Sequence, residues 1–454
     1  MSDLLASDLH SPNTHSPNES ASLTEWLDYM QQIHVSAIDM GLSRVLPVAE
    51  ALGVVQSAKD DAYVFTVAGT NGKGSTTAVI AEMCKAAGYK TALYQSPHLS
   101  VFNERVRING EMVSDETLID AFSKVEAARL ECDLTLSFFE MTTLAALLIF
   151  AEADCDVWVL EVGLGGRLDV VNIIDPDMAV ITNIGIDHVD WLGDNVEDIG
   201  REKAGILRQG ISLIYGATEM PSSVQHAIDT QQATCYQIGQ DFSYRDIDSM
   251  IWQYSNAAVT LQLPRPALSL TNTANALSSV LASPLNVELS DIEQALQTVK
   301  LAGRFDYRES HHRHWLFDVA HNEQGVEFLL AQLLPFWHQH LSKHGSQAGR
   351  DLPKIKMLFS MLGDKDIDKV VQRLTQAGLP ISDWFIAEID YPRAASTEQL
   401  QGVLTQYVDR ANIYQFDGLH AATYAVIADS QPQDLIVVCG SFHTIGEALA
   451  ALAV

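Results

Sequence analysis

The stretch Val67-Ala-Gly-Thr-Asn-Gly-Lys-Gly-Ser-Thr-Thr77 sets three glycines around a lysine and follows them with hydroxyl side chains. Glycines let a backbone aim several N–H groups at one point, a lysine neutralises phosphate charge, and a hydroxyl can meet a divalent cation. The spelling departs from the common phosphate loop, in which glycine and four free residues precede Gly-Lys and a Ser or Thr follows at once. Here Val67 stands where the first glycine belongs, and Gly74 delays the hydroxyl to Ser75 or Thr76. A glycine turn without a ligand is the bland alternative, but turn chemistry alone does not ask for a lysine among three glycines.

Three further groups offer chemistry. Glu161 ends an apolar strand pattern and precedes "VGLGGRLD", a loop at the edge where open α/β sheets bind ligands. A carboxylate there can hold Mg²⁺; a solvated strand end is its structural alternative. His188 lies between Asp187 and Asp190 in "NIGIDHVDWLG", and a lone histidine is more often structural than a metal ligand. Several donors on one edge favour the metal reading, since a triphosphate needs cations. Lys203 in "REKAGI" reads on pattern as an exposed helix lysine beside Glu202. If buried, its amine would have a depressed pKa and could react in the neutral form. No Asn-Lys-x-Asp base-reading stretch accompanies the loop; the nearest segment, "GDKDID", does not fit a GTPase.

These groups need elements to hold them. "AYVFTVAG" reads as a strand running into the glycine loop, and "STTAVIAEMCKAAGYK" as the helix after it, with Gly88 as a stop. "LTEWLDYMQQIH" is spaced as a helix, "TALYQ" as a strand, and "SPHLSVFNERVRING" as a loop with a hairpin. A helix through "MTTLAALLIFAEA", strands "DVWVLEVG" and "MAVITNI", and a helix "VEDIGREKAGIL" continue the alternation that implies a parallel sheet covered on both faces. Residues 235–265 read as short antiparallel strands, and "TNTANALSSVLA" and "LSDIEQALQTV" return to helix. Past "KLAGRF" the pattern restarts: strands "HWLFDVA", "KIKMLFSM", "DWFIAEI" and "DLIVVCG" alternate with helices after Asn322, Asp366, Ser396, Gly418 and Ser441. The division expected is a loose tail over 1–22, a first domain over 23–299, a linker over 300–305 and a smaller α/β domain over 306–454.

A net charge of −30 over 454 residues argues against broad contact with nucleic acid or anionic membrane. Five widely spaced cysteines without a CxxC pair read as free thiols of a reducing cytoplasm. The first residues lack both the basic start and the apolar run of a signal peptide. No segment approaches the roughly 20 apolar residues of a membrane span.

The motifs "GTNGKGSTT", "SPHL", "NERVRING", "FFEMTTLAALLIF", "EVGLGGRLDVVN", "DHVDWLG", "IGREKAGI", "LAGRFD", "DVAHN" and "CGSFHT" occur in this order between Leu23 and Leu449. Together they resemble the bifunctional dihydrofolate synthase/folylpolyglutamate synthase family of the Mur ligase superfamily, whose phosphate loop is spelled GTNGKG[ST]T. The resemblance implies the Mur ligase fold: an N-terminal P-loop ATPase-type parallel-sheet domain that binds ATP and pterin, and a smaller C-terminal Rossmann-like glutamate-ligase domain. It implies a cytoplasmic monomer that uses ATP and two Mg²⁺ ions to join L-glutamate to dihydropteroate, and to reduced folates, through an acyl phosphate.

By the same resemblance, Thr70, Asn71, Gly72, Lys73, Gly74 and Ser75 surround the phosphates, with Asn272, Arg304 and Asp318 also at the nucleotide. Ser96 and Glu161 would hold one metal ion, and His188 with Lys203 the other, Lys203 being carbamylated so that a cation becomes an anionic ligand. Lys73, Lys203 and His188 are the catalytic candidates. Ala37, Ile38, Asp39 and Met40, Ser137, Phe138, Phe139 and Glu140, and Leu168, Asp169 and Val170 are candidate pterin contacts. The two aromatic rings suit a flat substrate or equally a packed helix start. His321 and Ser441 are candidates for the glutamate pocket. Glu323 replaces an expected proline, and Met141-Thr142 a more polar or glycine-containing pair. A monofunctional polyglutamate synthase and a cell-wall amino-acid ligase are the nearer rivals. A nucleotide switch or motor is the rival of another class.

Overall fold

The computed structural model describes residues 16–17, 20–34, 41–345 and 352–453. The candidate pterin contacts Ala37, Ile38, Asp39 and Met40 lie outside the described residues, as does most of the expected tail. Ser22 closes a capping box with Glu25 and starts the helix Leu23–Gln32.

The first sheet contains β1 Tyr63–Ala68, β2 Thr91–Tyr94, β3 Val106–Ile108, β4 Glu111–Met112, β5 Val157–Glu161, β6 Met178–Ile181, β7 Ser212–Tyr215 and β8 Thr234–Gln237. Their order is β4-β3-β2-β5-β1-β6-β7-β8. Neighbours from β2 to β8 pair in parallel. β3 and β4 add the expected hairpin as an antiparallel edge. β5 and β6 are buried along their whole length and β1 over all but its first residue, as strands covered on both faces must be. The helix Lys73–Ala86, which follows the glycine loop, is also buried almost all round. The helices Leu270–Ala282 and Leu289–Thr298 pack against its outer side.

β9 Phe242–Asp246, β10 Ile251–Asn256 and β11 Thr260–Pro264 form a separate antiparallel sheet. The antiparallel reading of 235–265 therefore needs one correction. β8 runs parallel to β7 and completes the large sheet. It is short, so its own pattern could not show which neighbour it would join.

The second large sheet holds β12 Asp306–Ser310, β13 Arg313–Asp318, β14 Ile355–Phe359, β15 Ile381–Ala387, β16 Ile413–Phe416 and β17 Leu435–Cys439, in the order β12-β13-β17-β14-β15-β16. All pairs but β12·β13 are parallel. Asn322, Asp366, Ser396, Gly418 and Ser441 each stand immediately before a helix, and all but Gly418 cap it with a side-chain oxygen. The carboxyl edges of the two large sheets meet. Leu99, from the loop after β2, packs into the apolar cluster of the second sheet.

Candidate active site

Sheet order brings four separated segments to one edge. Strand ends β2, β5, β1 and β6 are neighbours, so Ser96, Glu161, the glycine loop and Thr182-Asn183 project side by side. Gly69 has φ +149°, and a Cβ on it would stand 1.8 Å from Thr182 Oγ1. Only glycine lets the loop press against the end of β6. Gly72 has φ +85°, and its Cβ would stand 2.3 Å from Asn272 Oδ1.

The loop is shaped by the protein itself. The Thr182 hydroxyl donates to the Asn71 carbonyl at 2.6 Å, and the Asn71 N–H donates to Asn183 Oδ1 at 3.0 Å. Thr70 Oγ1 donates to the Gly185 carbonyl and accepts from the Gly185 N–H at 2.9 Å. Ser75 lines the cleft with Asn71, Gly72, Asn272, Arg304 and Asp318. Thr76 is sealed beneath the helix at 0 % exposure, which narrows the choice of hydroxyl to Ser75. A Cβ on Gly74 would lie 3.4 Å from Glu161 Oε2. The position that displaces the hydroxyl thus stands at ordinary contact distance from this carboxylate.

Among the described residues, the charges behind the loop are buried without ion-pair partners. Glu161 is 4 % exposed, Asp169 5 % and Lys203 4 %. Burial raises the Glu161 carboxyl to about 7, against the pull of Lys73 and Arg304. Asp169 rises to about 6 for the same reason, although it accepts N–H bonds from Leu164 and Val171. Lys203, on the last turn of the helix Val196–Ala204, falls to about 7 through burial first and Lys73 second. Its ammonium donates to the Gly69 carbonyl at 2.9 Å, and Lys73 donates to the same oxygen at 3.1 Å. The exposed-lysine reading of Lys203 is thus overturned. Gly200 and Gly205 on this helix leave no room for side chains against Ser223 and Arg167, which keeps the helix close enough to bury it.

A cavity of about 520 Å³ opens beside the loop. Ser137, Phe138, Phe139, Glu140, Leu168, Asp169 and Val170 line it together with His188, His321 and Ser441. Ser96 lines both this cavity and the small cleft that holds Gly74, Glu161 and Arg304. His188 lines the wall, and desolvation of its ring, opposed by Asp187 and aided by Lys365 and Lys73, favours the neutral form. Among the described residues no hydrogen bond or ion pair joins His188 to Lys203. A carboxylate, a hydroxyl and an imidazole at one edge, facing buried charge that a cation would offset, fit a divalent ion of the Mg²⁺ or Mn²⁺ kind.

The Mur ligase middle domain matches residues 67–282, and the Mur ligase glutamate ligase domain matches residues 303–442. The dihydrofolate synthase/folylpolyglutamate synthase of Escherichia coli K12 is 39% identical over 95% of this chain and 96% of its own. The chain belongs to the dihydrofolate synthase/folylpolyglutamate synthase family of Mur ligases. The E. coli protein bound to DHPP and ADP superposes with a TM-score of 0.86 at 38% identity, over 96% of this chain and 99% of that one. A bifunctional folylpolyglutamate synthase/dihydrofolate synthase with Mn, AMPPNP and L-glutamate bound gives 0.85 at 36%, over 97% and 100%.

Contacts between the two halves of this Mur ligase were not legible in its motifs. Asp187 receives Lys365 at 2.7 Å, His321 at 3.5 Å and the Asn322 amide at 3.1 Å. Burial alone would raise its carboxyl, but the hydrogen bond from His321 and the charge of Lys365 hold it well below the usual range. Asn71 donates to Asn322 and Gln324. Lys365 lies in "GDKDID", the segment that failed as a base reader, and no local pattern marks a cation aimed at a carboxylate 178 positions away.

Four pterin candidates have structural duties. Ser137 and Glu140 form a capping box at the start of the helix Phe138–Glu152, and Glu140 is ion-paired to Arg44 at 2.8 Å. Phe138 packs edge-on against Phe102, and Phe139 fills the space over Gly163. Asp318 accepts N–H bonds from Phe305 and Ala320, which orient it at the end of β13. Arg304 stacks 5.1 Å from the centre of the Phe442 ring.

Proposed function

We propose that the chain is an ATP-dependent ligase that adds L-glutamate to dihydropteroate and then to the γ-carboxyl of reduced folates. The observation that supports it best is Ser96, which borders both the cleft at the phosphate loop and an aromatic-walled cavity large enough for a pterin. A substrate carboxylate at that junction lies where a γ-phosphate held by the loop can be transferred to it. The carboxylate oxygen attacks the γ-phosphorus and ADP leaves; the glutamate amine attacks the acyl carbon and phosphate leaves.

In this reading Thr70, Asn71, Gly72, Lys73, Gly74 and Ser75 hold the phosphates, while Asn272, Arg304 and Asp318 hold the rest of the nucleotide. Lys73 balances the charge of the transferring group in a poorly hydrated site, where such balance is strongest. Two Mg²⁺ ions, one at Ser96 and Glu161 and one at His188 and Lys203, would offset phosphoryl charge during in-line transfer. A Lys203 amine at about 7 is available in its neutral form to take up CO₂, and the carbamate supplies an anionic ligand. Phe138, Phe139, Leu168 and Val170 flank the pterin, and His321 and Ser441 face the incoming glutamate. The domain limits of 23–299 and 306–454, a monomeric state and a cytoplasmic setting belong to the same proposal. Among the described residues no helix is long and apolar enough to cross a membrane.

The test is phosphate release from ATP and Mg²⁺ with dihydropteroate and glutamate supplied or withheld in turn. Release only with the full set is expected, and release indifferent to the pterin overturns the reading. Replacing dihydropteroate by tetrahydrofolate decides between one activity and two.

A further inference from the structure

A second cluster of metal-ligating side chains lies at the far end of the second sheet. His314 is near the start of β13, whereas Asp318 ends it, so the cluster sits about 13 Å along the strand from the active edge. His340 and His344 are one turn apart at the end of the helix Glu323–His344, and they face His314. One ring nitrogen from each of the three lies within 4.8 Å of the other two. Ring centres are 5.0 Å apart for His314 and His340, and 4.5 Å for each pair that includes His344.

The partners of the rings decide where the free lone pairs are. His340 Nε2 lies 2.8 Å from the Gln433 carbonyl, which only accepts, so Nε2 carries the proton and Nδ1 the lone pair. The Tyr307 hydroxyl donates to Glu309 at 3.0 Å and therefore accepts from His314 Nδ1 at 2.7 Å, leaving Nε2 of His314 unprotonated. His344 has no hydrogen-bond partner among the described residues. A carbonyl on one imidazole and a tyrosine-carboxylate relay on another are the outer contacts that fix metal-binding histidines. Trp337 stacks on His340 and holds its ring in place.

We propose that His314, His340 and His344 form a binding site for a borderline divalent transition metal, Zn²⁺ in the first instance, with water in the fourth position. Three imidazoles and no carboxylate among the ligands suit Zn²⁺, Co²⁺ or Ni²⁺ rather than Mg²⁺. Closing to metal–nitrogen distances of about 2.0–2.1 Å needs only small ring movements. The bound ion would tie the end of the long helix to β13, apart from the reaction.

The whole chain, stripped by chelator and kept in excess Mg²⁺ and ADP to fill the active site, is titrated with Co²⁺. One equivalent should bind with the intense visible bands of a tetrahedral centre, and Zn²⁺ should displace it. His344→Ala changes a partly exposed side chain and should lose the bands while keeping Mg²⁺-dependent ligase turnover. Tyr307→Phe should weaken Co²⁺ on the order of tenfold by freeing His314 from its relay. Absence of the bands in the unaltered chain, or their persistence in His344→Ala, overturns the site.

Discussion

At the carboxyl edge of the first sheet, Glu161 and Lys203 are nearly inaccessible to water, and no ion pair offsets them among the described residues. The facing edge of the second sheet is differently built. Asp318 accepts two backbone N–H groups, Asn322 caps a helix while touching Asn71 and Asp187, and Ser441 caps the last helix. One edge holds charge in need of partners, and the other holds polar groups already satisfied. Buried charge without a partner is costly and persists where a ligand completes it. The first edge therefore fits the proposed binding of anions and cations, and the second edge faces it.

The largest effect separating the two edges is expected at Lys203. Lys203→Ala should lower phosphate release by about a thousandfold or more while the circular dichroism spectrum is kept. A short carboxylate in solution should restore part of it, and full activity in the variant would remove the carbamate. The same group sets a pH limb. As pH falls through about 7, the Lys203 amine gains a proton and cannot take up CO₂, and Glu161, also at about 7, becomes a neutral acid. Turnover should therefore decline on the acid side, and a flat profile between about pH 6 and 8 would contradict a role for buried groups that titrate near neutrality.

A middle-sized effect is expected where the edges touch. Lys365→Ala leaves Asp187 with His321, Asn322 and the His188 N–H among the described residues, and kcat/KM should fall about tenfold, the equivalent of about 1.4 kcal/mol. Unchanged kinetics would show that turnover does not depend on this pair. Ser137→Ala should have the smallest effect. Loss of the cap should cost about 1 kcal/mol in denaturant unfolding with the KM for pterin unchanged. A raised KM at constant stability would make Ser137 a substrate ligand instead of a cap.

Much of this could be read along the chain. The junction of strand, glycine loop and helix, the five helix starts of the second half, and the restart after Lys300 all depend on near neighbours: N-caps, turn glycines and strand periodicity. The site residues from Thr70 to Ser75, with Glu161 and His188, were visible as chemistry at strand ends. Lys203 was visible only through family resemblance, because its own pattern reads as a surface lysine. β8 was misjudged because a four-residue strand does not encode its neighbour. The Lys365–Asp187 pair was missed because nothing local connects its ends.

The sequence by itself determined the loop's spelling and hence its ligand class, since glycine positions and one lysine act through short-range sterics and charge. Only the tertiary structure decided what the loop faces. Strand order puts β5 beside β1, so Glu161 comes to stand against Gly74, its Oε2 3.4 Å from where a Cβ would lie. Strand order is set by packing between distant segments, which no single stretch of chain contains.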